Sequence, residues 1–103
     1  MTLEEISALL QTTGFPVAFQ EWKEGTVPSM PYLVYLVPYT NNFAADGVTY
    51  FSADHVQIEL YTKLKDPIAE GKVETALPSI YWEKDSEYLD AEKCHMTTYE
   101  IEV

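Results

Sequence analysis

The stretch that decides the fold occupies residues 31–63 and reads PYLVYLVPYTNNFAADGVTYFSADHVQIELYTK. Its first part, Pro31–Tyr39, is almost wholly apolar, as in a strand covered on both faces. Its last part, Asp54–Thr62, alternates apolar and polar residues with the period of a half-buried strand. Between them, Thr40–Ala53 carries polar residues, alanines and the turn signal Asp46-Gly47, which predict a loop over Thr40–Gly47 and local pairing for Val48–Ser52.

Two helices flank this block. Thr2–Thr13 has a Thr-x-x-Glu capping box and apolar residues at helical spacing, with Gly14 placed to end the helix. The second helix begins with Asp66 as its N-cap and Pro67 at its first position. Because Pro78 cannot continue a helix, this helix should end near Ala76.

Three further strands complete the predicted order. They are Val17–Trp22, Tyr81–Tyr88 and Cys94–Val103. The short connections favour a largely antiparallel sheet of four to six strands with both helices packed on one face. With 103 residues, the chain should form a single α+β domain, 1–103.

The charge of the chain excludes several function classes. Acidic residues number 17 against 6 basic ones, which gives a net charge of −11, and arginine does not occur. Tight nucleic-acid binding needs clustered lysine and arginine, so we predict none. Anionic membranes should repel the chain, and no apolar run has the length of a membrane span. The single Cys94 and the lack of a secretory signal lead us to expect an intracellular protein.

Residues suited to catalysis or metal binding are sparse. Asp54-His55 and Cys94-His95 are the only candidate soft-metal ligands, and neighbours on a strand point to opposite faces. No nucleophile motif or phosphate-binding glycine loop is present. Acidic residues alternate at Glu83, Asp85 and Glu87 and again at Glu100 and Glu102, which would form a negative stripe if these strands pair. We therefore predict a non-enzymatic protein with no catalytic, metal or cofactor site.

The predicted loop is the best candidate for a docking element. Exposed aromatic residues on a projecting segment often contact a partner, although they can also fold back onto the core. The candidate docking residues are Asn41, Asn42, Phe43, Asp46, Tyr50 and Phe51.

Nearly the whole chain resembles a family of small phage and prophage proteins of Gram-positive bacteria. The likeness lies in the block from Pro31 to Pro67, in the opening TLEEISALLQTTGFPVAF and in the closing YEIEV. It implies a head-tail connector or tail-completion protein, a ring subunit, commonly one of six, that contacts phage neck and tail-tube proteins. Such a protein would lie in the host cytoplasm during assembly and in the virion neck or tail afterwards. No catalytic residue comes with this family.

Two other interpretations remain open from the sequence. An acidic phage protein can also act as a DNA mimic that inhibits a host DNA-binding enzyme, and this is the main alternative. The eight tyrosines would also suit a carbohydrate- or peptide-binding module. A DNA mimic needs carboxylates spaced like phosphates along an exposed face, whereas a ring subunit needs self-complementary edges.

Overall fold

A computed structural model describes the backbone of residues 2–45, 48–77 and 79–102. It describes the side chains of the same residues except those in 40–53. It contains two helices and one five-stranded sheet, the predicted α+β architecture. In chain order the elements are α1 (Leu3–Gln11), β1 (Val17–Phe19), β2 (Tyr32–Ala45), β3 (Val48–Thr62), α2 (Pro67–Ala76), β4 (Glu83–Leu89) and β5 (Cys94–Glu102).

The first helix begins with the predicted capping box. The Thr2 hydroxyl accepts a hydrogen bond from the Glu5 backbone N–H at 3.1 Å, and the Glu5 carboxylate accepts one from the Thr2 N–H at 3.1 Å. These two bonds satisfy donors that the first helical turn otherwise leaves unpaired. The helix ends at Gln11, slightly earlier than predicted, and Gly14 adopts a φ of +82° that favours glycine.

The sheet has the strand order β1-β2-β3-β5-β4. Its pairs are antiparallel except β1 with β2, which run parallel over Val17–Phe19 and Leu33–Tyr35. The prediction that β1 continues to Trp22 is wrong. Gln20 takes a φ of +70° and turns the chain away from β2, so that β1 has only three residues.

Both helices pack on the same face of the sheet. The fully buried side chains there come from α1, from α2 and its C-cap, and from alternate positions of the long strands, an alternation that was predicted for β3 and β5: Ile6, Leu10, Leu33, Val56, Ile58, Leu60, Val73, Leu77, Tyr99 and Ile101. The Asp66 carboxylate caps α2 by accepting from the Ala69 N–H at 3.0 Å. The helix ends at Ala76, as predicted from the following proline.

The opposite face is covered at one end by the segment that links β1 to β2. Trp22 packs edge-on against Tyr32 at 5.8 Å, and Tyr32 stacks on Tyr61 at 5.0 Å. Under this cover Val34 is only 5% exposed, between the buried Leu33 and Tyr35. The prediction of a strand covered on both faces is therefore confirmed for this part of β2.

The largest departure from prediction lies between residues 40 and 53. The predicted loop at Thr40–Gly47 is wrong for residues 40–45, which continue β2 and pair with β3 up to Ala45↔Val48. Asp46 and Gly47, where a turn was predicted, lie outside the described residues. Register shifts between Leu36 and Tyr39 and between Phe43 and Ala44 interrupt the ladder. The first accommodates Pro38, because a bulge tolerates a missing N–H.

The last two strands also form a hairpin. β4 begins at Glu83 rather than at the predicted Tyr81, because its register with β5 starts at Glu83↔Glu100 and ends at Leu89↔Cys94. β5 runs as predicted to Glu102, and Val103 lies outside the described residues.

Candidate functional site

The extension of β2 and β3 forms a two-stranded arm, defined here as residues 40–45 and 48–53. β5 pairs with β3 only from His55 onward, and β1 pairs with β2 only up to Tyr35. The arm therefore passes beyond the five-stranded sheet. The molecule measures 49 × 28 × 22 Å with a radius of gyration of 14.9 Å. A compact domain of this length would have about 13 Å, so the chain is elongated.

The predicted docking residues fall on both strands of the arm. Asn41, Asn42 and Phe43 belong to β2, and Tyr50 and Phe51 belong to β3. Phe43 and Phe51 occupy directly paired backbone positions, as do Asn42 and Ser52. Asp46 lies outside the described residues. The backbone thus brings these residues into one hairpin.

A cluster of aromatic and carboxylate side chains holds the base of the arm. The ring of Tyr39 on β2 stacks on His55 of β3 with centroids 4.4 Å apart and an interplanar angle of 7°. His55 Nε2 lies 3.1 Å from Glu100 Oε1, and its Nδ1 lies 3.8 Å from Glu102 Oε1. These contacts tie β2, β3 and β5 together where the arm leaves the sheet.

Carboxylates dominate the sheet face that the helices leave uncovered. Strand alternation and the register of β3, β5 and β4 place these acids there: Glu59, Glu83, Asp85, Glu87, Glu100 and Glu102. Glu83 and Glu100 are directly opposite, which confirms the predicted negative stripe and costs stability by like-charge repulsion. Lys84 lies on the other face, where it bonds to α2. We call this surface the acidic face.

A cleft of about 510 Å³ adjoins the end of the acidic face. Its walls are His55, Ser79, Ile80, Tyr81, Glu83, Glu100, Ile101 and Glu102. Tyr81 is 81% exposed at its rim, and its hydroxyl lies 3.4 Å from Glu83 Oε1. The His55 ring in this cleft contacts the carboxylates of Glu100 and Glu102.

The two candidate metal-ligand pairs do not converge. Cys94 is buried near one end of β5, whereas His55 pairs with Glu102 at the other end. Within residues 2–45, 48–77 and 79–102, no group of three histidine, cysteine, aspartate or glutamate side chains is arranged to hold a metal ion.

A buried ionic network under α2 was missed in the sequence. Glu70 is only 4% exposed, and its carboxylate lies 2.8 Å from Lys65 Nζ and 3.2 Å from Lys84 Nζ. Lys84 Nζ also lies 2.9 Å from Glu74 Oε2, which accepts a hydrogen bond from the Tyr99 hydroxyl at 2.8 Å. The network joins α2 to β4 and β5. One feature of the sequence indicated that Glu70 is buried. It lies three positions before Val73 and seven before Leu77, a spacing that places it on the same apolar face of the helix.

This network should make stability depend on pH. Burial alone raises the pKa of Glu70, but hydrogen bonds from Lys65 and Lys84 outweigh it and lower the pKa below its ordinary value of 4.5. The ionised form therefore stabilises the fold above pH 4.5, and this contribution is lost as the pH falls through the lowered pKa.

We expect Glu70→Gln to cost about 1–3 kcal/mol of unfolding free energy at neutral pH, because it removes one partner of a buried ion pair. The difference from the unsubstituted chain should shrink steadily as the pH falls below 4.5. Urea unfolding across this pH range measures it. Glu24→Gln, which removes an exposed acid, is the control and should leave the profile unchanged. A Glu70→Gln difference that stays constant with pH would contradict the network.

Comparisons with known proteins leave the family of this chain unassigned. No family model matches the chain, and no curated protein matches it significantly. In the part of the chain that the structure describes, neither helix is long and apolar enough to cross a membrane.

Proposed function

We propose that this protein is a non-enzymatic structural subunit of a phage or prophage particle, acting in head-tail joining or tail completion as a member of a ring. The observation that carries the proposal is the arm. A strongly acidic domain extends a two-stranded hairpin beyond its sheet, and residues 40–53 contain a single charged residue, Asp46. The sequence resemblance to head-tail connector proteins supports the same role.

The arm is poorly suited to stand alone in water. An isolated two-stranded hairpin is marginally stable, and three or more strands are usually needed. The base of the arm is nevertheless anchored by Tyr39 and His55, so the segment is presented in a set direction. A hairpin of this kind gains stability when another protein covers it, and neck proteins, tail-tube proteins or a neighbouring subunit are the proposed partners.

The acidic face suits a position near passing DNA. Carboxylates repel phosphates, and no lysine from β3, β4 or β5 offsets the charge on this face. In a ring that surrounds a channel, such a surface would let DNA slide without binding. The subunit would assemble in the cytoplasm of the bacterial host and remain in the neck or tail of the virion.

The acidic face also favours one alternative function, a DNA mimic that inhibits a host DNA-binding enzyme. Carboxylates at alternate positions of one strand recur about every 7 Å, in two neighbouring rows on β4 and β5. A mimic should lose its target when Glu83, Asp85 and Glu87 become glutamine or asparagine. Head-tail joining through the arm should survive that change.

Electron microscopy of lysates from phage lacking this gene tests the structural role. We expect DNA-filled heads and finished tails that remain separate, because the joint between them is missing. Supplying the gene in trans should restore joined particles, which controls for effects on neighbouring genes. Normal virions in the mutant lysate would overturn the proposal.

A further inference from the structure

The arm exposes two backbone edges that no described strand covers. On β2, the partner on the outer side ends with Tyr35, so the edge from Leu36 to Ala45 has no neighbouring strand among the described residues. On β3, the outer partner begins only at His55, so Val48–Ala53 likewise lies beside no described strand. Unpaired strand edges present rows of N–H and C=O groups that readily accept another strand.

The edges of the arm lack the protection that the sheet edge at β4 carries. β4 reads EKDSEYL, in which four of seven residues are charged, and charge is a common device against edge-to-edge pairing. The strands of the arm read TNNFAA and VTYFSA, with no charged residue and no proline. One edge of the molecule is therefore guarded against strand addition, whereas the arm is open to it.

We infer that the outer edge of β2 in one copy of this chain pairs with the outer edge of β3 in the next copy, so that the arms of a ring form one closed antiparallel β-barrel. This deepens the ring role proposed above and rests on it. β2 and β3 are antiparallel, so arms that point the same way continue the up-down alternation from copy to copy.

The strand that pairs with each free edge of the arm belongs to a second copy of the chain, because the two free edges complement each other. Within the arm, each copy carries one β2 edge at residues 40–45 and one β3 edge at residues 48–53, and pairing of these two edges between copies makes a head-to-tail contact. A head-to-tail contact closes into a ring when its rotation allows, and a closed barrel leaves no unpaired edge. Pairing of one β2 edge with another would instead stop at a dimer and leave both β3 edges uncovered.

Charge makes the inferred assembly depend on salt. Each copy carries a net charge of −11, so neighbouring domains repel one another at low ionic strength. The backbone hydrogen bonds between arms carry no net charge and should change little. Raising the salt concentration from about 0.05 M to about 0.5 M shortens the screening length and should favour the ring.

Sedimentation and negative-stain microscopy of the purified full chain test the inference. At a protein concentration of about 0.1 mM, we expect closed rings whose fraction rises with salt. A variant in which residues 41–53 are replaced by Asn-Gly keeps the pair Thr40↔Asp54 and a two-residue hairpin turn. It should remain a folded monomer at every salt concentration. Rings formed by this variant, or monomeric unsubstituted protein throughout, would overturn the inference.

Cysteine cross-linking tests which strand edges meet between neighbouring copies. A chain with Asn42→Cys and another with Ser52→Cys are mixed and oxidised, while Cys94 is only 3% exposed. Disulfides that join an Asn42→Cys chain to a Ser52→Cys chain support pairing of β2 with β3. Disulfides found only between two copies of the same variant contradict it. If cross-linking contradicts the barrel but lysates without the gene still show unjoined heads and tails, only the barrel is refuted. If rings form as inferred but lysates without the gene contain normal virions, only the virion role is refuted.

Discussion

Under the proposed role in head-tail joining, a phage whose chain carries Asn-Gly in place of residues 41–53 is expected to produce full heads and finished tails that do not join. Its infectious titre should fall to the level of the complete gene disruption. The physical reason is that the substitution removes both strands of the arm together, so neither is left without its partner, while the Tyr39 and His55 stack at the base is kept. Plaque assays and electron microscopy of the lysate measure the two effects.

The matched control shortens the connection between β4 and β5. Residues 90–93 connect β4 to β5 beyond the pair Leu89↔Cys94, and Asn-Gly can replace them with the same kind of turn. This variant should join heads to tails normally, and both variants should unfold cooperatively. Loss of joining in both variants would assign the defect to general damage, and normal joining by the arm-shortened chain would remove the arm from the proposed function.

Replacing Tyr99 with alanine is expected to have the largest effect on stability. Tyr99 is fully buried on β5, packs edge-on against Trp82 at 5.5 Å and donates a hydrogen bond to Glu74. Loss of a buried aromatic side chain costs about 3–5 kcal/mol, against a total of about 5–10 kcal/mol for a domain of this size. Tyr99→Ala should therefore remove about half of the free energy of unfolding, as measured by urea unfolding followed by circular dichroism.

The Tyr99→Phe variant separates the contribution of the hydroxyl group to stability from that of the aromatic ring. Burial first, and then the hydrogen bond to Glu74, raise the pKa of the tyrosine, so the hydroxyl stays protonated and donates. Phenylalanine keeps the packing and loses one hydrogen bond, at a cost of about 1–2 kcal/mol. Lys84 still pairs with Glu74 in this variant. Equal losses for the alanine and phenylalanine variants would show that the ring contributes little, contrary to its complete burial.

Local signals in the sequence were sufficient for the helices and for the central strand. The capping box at Thr2, the Asp66-Pro67 start and the period-two alternation through Leu60 each act within a few residues, so they are visible before the chain folds. Those elements appear in the structure as predicted. The acidic stripe on β4 and β5 was also predictable, because it needed only the pairing of two neighbouring strands.

The β2 half of the arm could not be predicted because several of its residues have weak strand preferences. Asparagine and alanine are depleted in strands, so Asn41, Asn42 and Ala44 indicated a loop. The structure pairs their backbones with β3 because the hairpin, once aligned by the buried residues before it, can continue past the end of the sheet. The loop predicted for residues 40–45 was wrong, and the docking role of the candidate residues stays a prediction.

By itself, the sequence determined the α+β class, the starts of both helices, the core face of β3 and the strong negative charge, since these follow from local patterns and composition. Only the tertiary structure decided that β1 runs parallel to β2, that Glu70 is buried between two lysines, and that β2 and β3 extend as a joined arm. These features depend on contacts between segments far apart in the chain, and such contacts leave no local period in the sequence.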